Sequence, residues 1–333
     1  MGLKVLVTGG AGYIGSLLTG VLLDLGWEVT VLDDLLFGGE SLLGYWHRPG
    51  FRFIRANVTD SNVINPRLFE GVNAVVHLAA IVGFPACKAA GREVAWRNNV
   101  DATRVVFEAA DAAGVERFIF ASTYSTYGLA QDGQPVTEDS PLYPQSLYAE
   151  TKIACEDYLR ARAHDSTCAP LIFRFATLFG ISPRTRFDLI VNQFVLEALT
   201  KGELHIYQRG YSRSFVHVRD VAQGICLGLG VESSMIRGHV YNLGSEAGNY
   251  TKDEVTALVK KHVDGLKVTY RDISFEGDMR NITVSFSKVR KALGFAPQMS
   301  VEDGIVEVRD VIRHGVIRYS DINRYLNASL IAH

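Results

Sequence analysis

Short apolar runs alternate with longer helical patterns through the first half of the chain. Runs with so few polar residues are typical of strands in a parallel sheet that helices cover on both faces. These predicted strands are residues 3–7, 28–32, 51–55, 74–78, 117–121 and 171–175. Helical spacing fills three of the intervals, at residues 12–25, about 92–113 and 146–163. Right-handed connections between such elements predict an α/β fold with a doubly wound parallel sheet.

The pattern changes after about residue 176. Helices are predicted at residues 187–200, 220–230, 251–262, 287–293 and 301–314, and short strands near 204–207, 214–216 and 240–242. Thr251 is a typical N-cap residue, and we expect a helical tail. The sequence therefore predicts a first domain over residues 1–176. A smaller C-terminal α/β lobe over residues 177–333 is expected to be interleaved with the end of the sheet and to share one cleft with the first domain.

A glycine-rich turn joins the first strand to the first helix. Gly9, Gly12 and Gly15 allow close approach of a phosphate to the backbone, and the helix N-terminus supplies N–H groups. Asp33 ends the second strand, where a carboxylate accepts hydrogen bonds from adenosine ribose and repels a 2′-phosphate. Residues 34–41 contain no arginine or lysine, so NAD is favoured over NADP. The alternative is a tight turn beside a surface aspartate.

Other predicted cofactor contacts fall where strands end, because open α/β sheets bind ligands at the carboxyl ends of their strands. The complete predicted set is Gly9, Gly12, Tyr13, Ile14, Gly15, Asp33, Asn57, Val58, Leu78, Ala79, Ala80 and Lys152.

Tyr148 and Lys152 are four residues apart and therefore lie on one face of a predicted helix. A free tyrosine has a pKa of about 10, and a nearby ammonium favours the phenolate and lowers that pKa. We predict that Tyr148 is the catalytic base and that Lys152 supports it and binds the nicotinamide ribose. Thr123, which closes the fifth strand, would donate a hydrogen bond to the substrate oxygen. Asn99 would support a proton path or hold the helix geometry.

Alternatives to this catalytic group remain open from the sequence. A Tyr-x-x-x-Lys pair also occurs by chance, and Tyr148 would then be a half-buried aromatic residue. Ser122 or Ser125 competes with Thr123 for the substrate contact, and Asn98 competes with Asn99.

Composition narrows the class of protein. Apolar residues make up 47% and charged residues 21% of the 333 residues, which is typical of a globular chain. The net charge is −2 without a basic block, so we expect no nucleic-acid partner. Four widely spaced cysteines predict reduced thiols and no metal site. The apolar stretch at residues 74–87 is interrupted and too short to span a bilayer, so we expect no membrane association and a cytoplasmic location.

The ordered motifs resemble the extended short-chain dehydrogenase/reductase family, in particular its NAD-dependent nucleotide-sugar epimerase/dehydratase branch, over almost the whole chain. The resemblance implies a Rossmann domain, a substrate lobe, a nucleotide-sugar substrate, and a homodimer formed through the helices that carry Asn99 and Tyr148. It rests on residues 8–15, Asp33, residues 77–80, 98–100 and 122–128, Tyr148, Lys152, Arg174, Phe175 and residues 213–220.

The resemblance also implies substrate contacts. Arg213 and Arg280 match arginines that meet a diphosphate, which a guanidinium binds in a bidentate manner. Asn192 matches an amide near the diphosphate, and Tyr207 an aromatic residue against the base. Arg174 and Thr123 complete the predicted substrate set. Each arginine has the alternative of a solvated surface charge, and the roles of Arg184 and Arg186 stay open.

Dehydratases and decarboxylases of this branch place a carboxylate just after the catalytic threonine, where this chain has Tyr124 and Ser125. Elimination of water then lacks a proton donor. We therefore predict a 4-epimerase that oxidises C4 and returns the hydride to the other face. The alternatives are a reductase or dehydrogenase of a keto-sugar nucleotide, and a non-catalytic dinucleotide sensor. An apolar loop over residues 81–87 indicates a deoxygenated hexose or a smaller alcohol, unless Phe84 belongs to the core.

Overall fold

A parallel sheet with helices on both faces forms the centre of the computed structural model, which describes residues 2–128, 134–271 and 281–327. Its strands, and those outside the sheet, are β1 (Lys4–Thr8), β2 (Glu28–Asp33), β3 (Phe51–Arg55), β4 (Ala74–His77), β5 (Arg117–Thr123), β6 (Ala169–Phe175), β7 (Thr177–Phe179), β8 (Glu203–Tyr207), β9 (Ser212–His217), β10 (His239–Leu243), β11 (Asn249–Thr251) and β12 (Lys267–Arg271). The α-helices are α1 (Tyr13–Asp24), α2 (Phe84–Ala90), α3 (Arg92–Trp96), α4 (Ala102–Ala112), α5 (Leu147–Arg162), α6 (Ile190–Lys201), α7 (Val218–Gly230), α8 (Lys252–His262), α9 (Ser287–Leu293) and α10 (Val301–Arg313).

The central sheet has the strand order β10-β6-β5-β4-β1-β2-β3, and every pair in it is parallel. This arrangement confirms the predicted doubly wound α/β fold. The strand order reverses at β1, which lies between β4 and β2 with Val5 opposite both Ala74 and Val29. Ligands bind beyond the carboxyl ends of the strands at such a switch point. β10 comes from the second half of the sequence and pairs with β6.

Each face of the sheet buries its own apolar cluster. Helices α1 and α7 cover one face through residues such as Leu18, Leu22 and Ile225. Helices α4 and α5 cover the other through residues such as Phe107 and Leu159. A third cluster joins α6, α8 and α10 in the smaller lobe. Within the described ranges, no helix combines the length and apolar character that crossing a bilayer requires.

The structure differs from the predicted elements mainly around residues 81–113. Residues predicted as an apolar loop begin α2, which has Pro85 in its first turn and lies between Gly83 and Gly91, both at positive φ (97° and 79°). The single helix predicted at 92–113 is α3 and α4 joined by a π-helical turn, Arg97–Asp101. Strands β7, β11 and β12 were not predicted. Thr251 does cap α8, in a capping box with Glu254.

Candidate active site

A cleft lies at the carboxyl ends of β1, β2, β4 and β5. Its volume is about 1240 Å³ when the space at its open mouth is included. All of the residues predicted to bind the cofactor line it, as do Thr123 and Tyr148. The opposite wall comes from the chain after β6 and includes Leu178, Arg184 and Arg186. The two halves of the sequence therefore share one cleft.

The glycine turn has no room for side chains. Gly9 has a φ of 71°, and a Cβ atom there would lie 2.7 Å from the backbone nitrogen of Ala79. A Cβ atom on Gly15 would overlap the carbonyl oxygen of Gly9. Gly12 precedes α1 without a side-chain cap, so the first helical turn presents its N–H groups to the cleft. This turn fits the pyrophosphate of a dinucleotide.

Asp33 joins the turn to the adenosine end of the cleft. Its Oδ2 accepts a hydrogen bond from the backbone N–H of Ala11 (3.0 Å) and its Oδ1 accepts one from Leu35 (2.9 Å). Burial raises the pKa of Asp33, although these two hydrogen bonds oppose the shift. Nearby, the Asn57 amide donates to Asp34 (2.8 Å). The carboxylate therefore fixes the turn as well as lining the cleft.

Tyr148 and Lys152 extend from the first turns of α5 into the cleft, as predicted from their spacing. Ser146 caps this helix by accepting a hydrogen bond from the backbone of Ala149 (3.2 Å). Lys152 is only 3% exposed, and its Nζ donates to the carbonyl of Ala121 (2.8 Å). That nitrogen lies 5.9 Å from the centre of the Tyr148 ring. Burial lowers the pKa of Lys152, and its charge lies beside the predicted base.

Thr123 lies at the end of β5 beside this pair. Its Oγ1 accepts a hydrogen bond from the backbone N–H of Ser125 (3.2 Å) and lies 2.8 Å from the Ser125 hydroxyl. When Ser125 donates in that second contact, the Thr123 proton remains for a substrate oxygen. Ser122 also lines the cleft, but its hydroxyl donates to the buried carboxylate of Glu156. Thr123 is thus better placed than Ser122 for the predicted contact.

Asn99 is placed away from the cleft, and a direct catalytic contact does not fit its position. Its amide bonds both backbone groups of Ile81 (2.8 and 3.0 Å) and the hydroxyl of Thr151 (3.1 Å). It therefore links α5 and the segment after β4 to the π-helical turn. This placement fits the alternative in which Asn99 holds the helix geometry. Asn98, the next residue in that turn, lines the cleft instead. A π-helical turn often occurs at functional sites.

Arg174 does not line the cleft either, so the predicted substrate contact does not fit its placement. It is 2% exposed and forms a bidentate ion pair with Glu156, with nitrogen–oxygen distances of 2.6–3.1 Å. Its Nη1 donates to the Tyr127 hydroxyl (2.9 Å), which in turn donates to Asn242 (2.7 Å). The guanidinium thus belongs to a buried network behind the carboxyl end of β5.

The amide of Asn192 is hydrogen-bonded to the protein backbone, so it positions a loop. Its side chain bonds the backbone N–H and C=O of Gly180 (2.9 and 3.0 Å) and the carbonyl of Arg186 (2.8 Å). The Tyr13 hydroxyl donates to the same Gly180 carbonyl (2.8 Å), and burial raises the pKa of that phenol. Asn192 and Tyr13 therefore hold the segment of residues 180–188 against the glycine turn.

Two further predicted substrate residues, Arg213 and Tyr207, do not line this cleft. Arg213 is buried on β9, opposite Tyr250 of β11. Tyr207 ends β8, and its backbone carbonyl accepts a hydrogen bond from Lys252 (2.9 Å). Arg280 lies outside the described residues. The diphosphate and base contacts implied by the resemblance stay predictions.

Two arginines left without a role by the sequence do line the cleft. Arg186 forms a bidentate pair with Asp188, with both distances at 2.9 Å, and its charge interacts with Tyr13 and Tyr148. Arg184 lies over the ring of Phe37 at 4.5 Å. The signal for both was the sequence Arg-Thr-Arg-Phe-Asp soon after the sheet strand β6. That sequence does not reveal which arginine pairs with Asp188.

Ile81 and Val82 of the apolar segment also face the cleft, whereas Phe84 lies on α2.

Comparison with known proteins agrees with this geometry. Residues 5–244 match the model of the NAD dependent epimerase/dehydratase family. The chain is 29% identical over 328 residues to a UDP-glucose 4-epimerase of Bacillus subtilis, covering 90% of this chain and 94% of that one. It is 31% identical over 310 residues to a dTDP-glucose 4,6-dehydratase of Streptomyces griseus, covering 90% and 91%.

A solved structure shares the fold along nearly the whole chain. The dTDP-glucose 4,6-dehydratase DesIV of Streptomyces venezuelae, solved with NAD bound, superposes with a TM-score of 0.82 at 30% identity. The match covers 94% of this chain and 98% of DesIV. The chain thus shares its fold along nearly its whole length with a protein solved with NAD bound. The chain belongs to the NAD dependent epimerase/dehydratase family, within the extended short-chain dehydrogenase/reductases, and is an NAD-dependent enzyme.

Proposed function

We propose that this enzyme is a nucleotide-sugar 4-epimerase, which oxidises the sugar at C4 and reduces it again on the opposite face. The observation that carries the proposal is the composition of the cleft around Tyr148. A base, a cation and a hydroxyl donor meet there, and no carboxylate among the described cleft-lining residues accompanies them. The acidic residues that line the cleft, Asp33 and Asp34, are at its adenosine end.

The chain's own residues would handle the proton. Tyr148 removes the proton of the C4 hydroxyl as the carbon is oxidised and gives it back when the carbon is reduced. The Lys152 ammonium stabilises the phenolate, since it is held in place by the Ala121 carbonyl. Thr123 donates to the C4 oxygen and fixes the carbon that reacts. NAD held by the glycine turn, Asp33 and Lys152 would supply the hydride acceptor for C4 and the hydride donor for the return step.

Elimination of water would need a proton donor near C5 and C6, and the nearby acids are engaged elsewhere. Asp188 is held by Arg186. Burial alone would raise the pKa of Asp188, but the charge and hydrogen bonds of Arg186 outweigh burial and lower it. Glu156 is buried against Arg174. Tyr124, directly after Thr123, hydrogen-bonds the hydroxyl of Thr177 (2.7 Å). These contacts favour return of the hydride to C4 over dehydration.

Relatives support the substrate class. The similar proteins include UDP-glucose 4-epimerases and dTDP-glucose 4,6-dehydratases, and the similar structure MoeE5 was solved with UDP-glucuronic acid and NAD. A nucleotide sugar in the cleft of this chain is therefore part of the proposal. The base and the sugar would be identified by a panel of UDP-, GDP- and dTDP-sugars.

The test is isomer formation by the purified enzyme without added NADH. The expected result is interconversion of one 4-epimer pair, with NAD retained through dialysis. Tyr148→Phe is expected to reduce kcat at least about 1000-fold with nearly unchanged NAD binding, because it removes only the proton acceptor. Tyr158→Phe is the matched control, since Tyr158 lies on the same helix and hydrogen-bonds the exposed Glu108. A product that appears only with stoichiometric NADH would favour a reductase instead.

We also propose that the enzyme is a homodimer formed through α4 and α5, as its family resemblance implies. Val105 of α4 is 37% exposed, and Arg104 extends over the ring of Tyr158 on α5 at 5.5 Å. Light scattering should give twice the chain mass, and Val105→Glu should shift it toward one chain mass.

A further inference from the structure

Arg184 is a buried cation in the loop between β7 and α6, and it lines the cleft. It is 6% exposed. Its Nε atom is buried without a hydrogen-bond partner, and its Nη2 makes only a long contact with the carbonyl of Arg324 (3.5 Å). Beside these contacts, the guanidinium lies over the ring of Phe37. The side chain is thus fixed in place with part of its hydrogen-bonding capacity unused.

Among the residues that the structure describes, Arg184 has no carboxylate partner in direct contact, and only the more distant charges of Asp188 and Asp33 favour its charged form. Across the described ranges, no carboxylate lies within 4.0 Å of its guanidinium, whereas Arg174 and Arg186 each have a bidentate carboxylate partner. Burial lowers the pKa of Arg184 to about 10, and the charge of Arg186 adds to this effect. A buried cation without a counter-ion is destabilising unless an anion arrives. A negatively charged ligand would therefore supply the partner that the buried Nε and the guanidinium charge lack.

Its neighbours locate that ligand at the adenosine half of the cleft. Phe37 follows β2 closely in the chain, and the charge of Asp33 interacts with Arg184. The Asp33 carboxylate itself is bound to the N–H groups of Ala11 and Leu35, so it does not form an ion pair with the arginine. Ala11 belongs to the glycine turn. Arg184 and the glycine turn line the same cleft, and the Tyr13 hydroxyl joins the turn to the Arg184 loop at the carbonyl of Gly180 (2.8 Å).

We propose that Arg184 binds the diphosphate of NAD, so that the substrate-side loop completes the cofactor site. The glycine turn would contact the diphosphate from one side and the guanidinium from the other, with charge-assisted hydrogen bonds. Phe37 stacks on the guanidinium and keeps it oriented. This role does not depend on which sugar the enzyme uses or on whether the reaction is an epimerisation.

The test is calorimetric binding of nucleotide fragments to the full-length enzyme after charcoal removal of bound nucleotide. Arg184→Gln is expected to weaken ADP binding about 10- to 100-fold, as loss of a charge-assisted hydrogen bond predicts. Adenosine, which lacks phosphate, should bind with less than a twofold change, and so should UDP. Arg184→Lys should retain ADP affinity within about fivefold of the wild type because it keeps the charge.

Controls separate this role from general effects of charge and folding. Arg290→Gln makes the same charge change at an exposed ion pair with Glu246 and should leave ADP binding unchanged. The ligand-free melting temperature of Arg184→Gln should equal or exceed that of the wild type, because an unpaired buried charge has been removed. If Arg184→Gln fails to fold, the Lys variant and Phe37→Leu, expected to weaken ADP binding about two- to fivefold, carry the test.

Three results would overturn the proposal. Equal ADP affinity in the Gln variant and the wild type would show that Arg184 does not contact the diphosphate. A loss confined to UDP assigns the guanidinium to the diphosphate of the substrate. A loss confined to 2′-AMP assigns it to a ribose phosphate.

Discussion

Arg174 and Arg184 are both more than nine-tenths buried, yet their surroundings differ. Arg174 lies behind the cleft on β6, where Glu156, Tyr127 and a backbone carbonyl use its donors. Arg184 lies in the cleft wall with a phenylalanine ring below it and no carboxylate partner within the described residues. The same side chain is thus part of the scaffold in one region and available to a ligand in the other. What distinguishes the two is whether the protein itself supplies the counter-ion.

The largest expected effect on stability comes from breaking the ion pair between Arg174 and Glu156. Arg174→Met should lower the free energy of unfolding by about 3–5 kcal/mol, because it leaves the Glu156 carboxylate buried without its partner. Urea denaturation measures this change. The matched control is Arg92→Met, which removes a partner of Glu150 on the same helix α5 but at 67% and 38% side-chain exposure, and should change stability by less than about 1 kcal/mol.

A second comparison replaces both members of the buried pair. Arg174→Met combined with Glu156→Leu should be more stable than Arg174→Met alone, because no unpaired charge remains. Adding Glu156→Leu could instead lower the free energy of unfolding as much as a second, independent loss would. The ion pair would then not be the interaction that couples Arg174 to Glu156.

A smaller effect is expected from the side chain that holds the arginine loop. Asn192→Ala removes three hydrogen bonds to backbone groups of Gly180 and Arg186 and should lower the unfolding free energy by about 2–3 kcal/mol. ADP binding should weaken as well, because Arg184 lies in the released loop. Gln193→Ala, one residue along α6, removes a side chain that donates to Glu197 and should change neither quantity appreciably. Unchanged ADP affinity in Asn192→Ala would mean that the loop holds its position without the amide.

The smallest effect on stability is expected from breaking the ion pair between Arg186 and Asp188 in the same loop. Asp188→Asn should lower stability by about 1 kcal/mol at pH 7, since it removes the charge that Arg186 bonds. The folded-state pKa of Asp188 is lowered, so its stabilising contribution is present above its unfolded pKa, about 3.9. It is lost as the pH falls through the lower folded pKa. The stability difference between wild type and variant should therefore be constant from pH 7 to 5 and shrink below about pH 4; a difference that shrinks already between pH 7 and 5 would contradict this assignment.

The residues that local stereochemistry determines were predictable from the sequence. Gly9 and Gly15 are required by a backbone approach that no side chain permits, and the spacing of Tyr148 and Lys152 alone puts them on one helical face. The sheet strands followed from apolar runs. Even the capping of α8 by Thr251 depends on residues only three apart.

What the sequence did not reveal depends on partners distant in the chain. Arg174 pairs with Glu156 and Asn192 holds Gly180, and neither partnership has a local signal. The π-helical turn that directs Asn98 rather than Asn99 to the cleft shifts the register of a helix whose spacing looks regular. The helix α2 did have a signal, a proline in its first turn between two glycines, which the apolar character of residues 81–87 obscured.

The most direct test of the proposed reaction follows one hydrogen atom. The nucleotide sugar identified by the panel, carrying deuterium at C4, is converted by the enzyme and both epimers are examined by NMR. The account predicts that deuterium stays at C4 in both epimers and that none enters free cofactor. Deuterium at C6 would demonstrate elimination, and its loss to free cofactor would demonstrate net oxidation; either result would contradict a 4-epimerase.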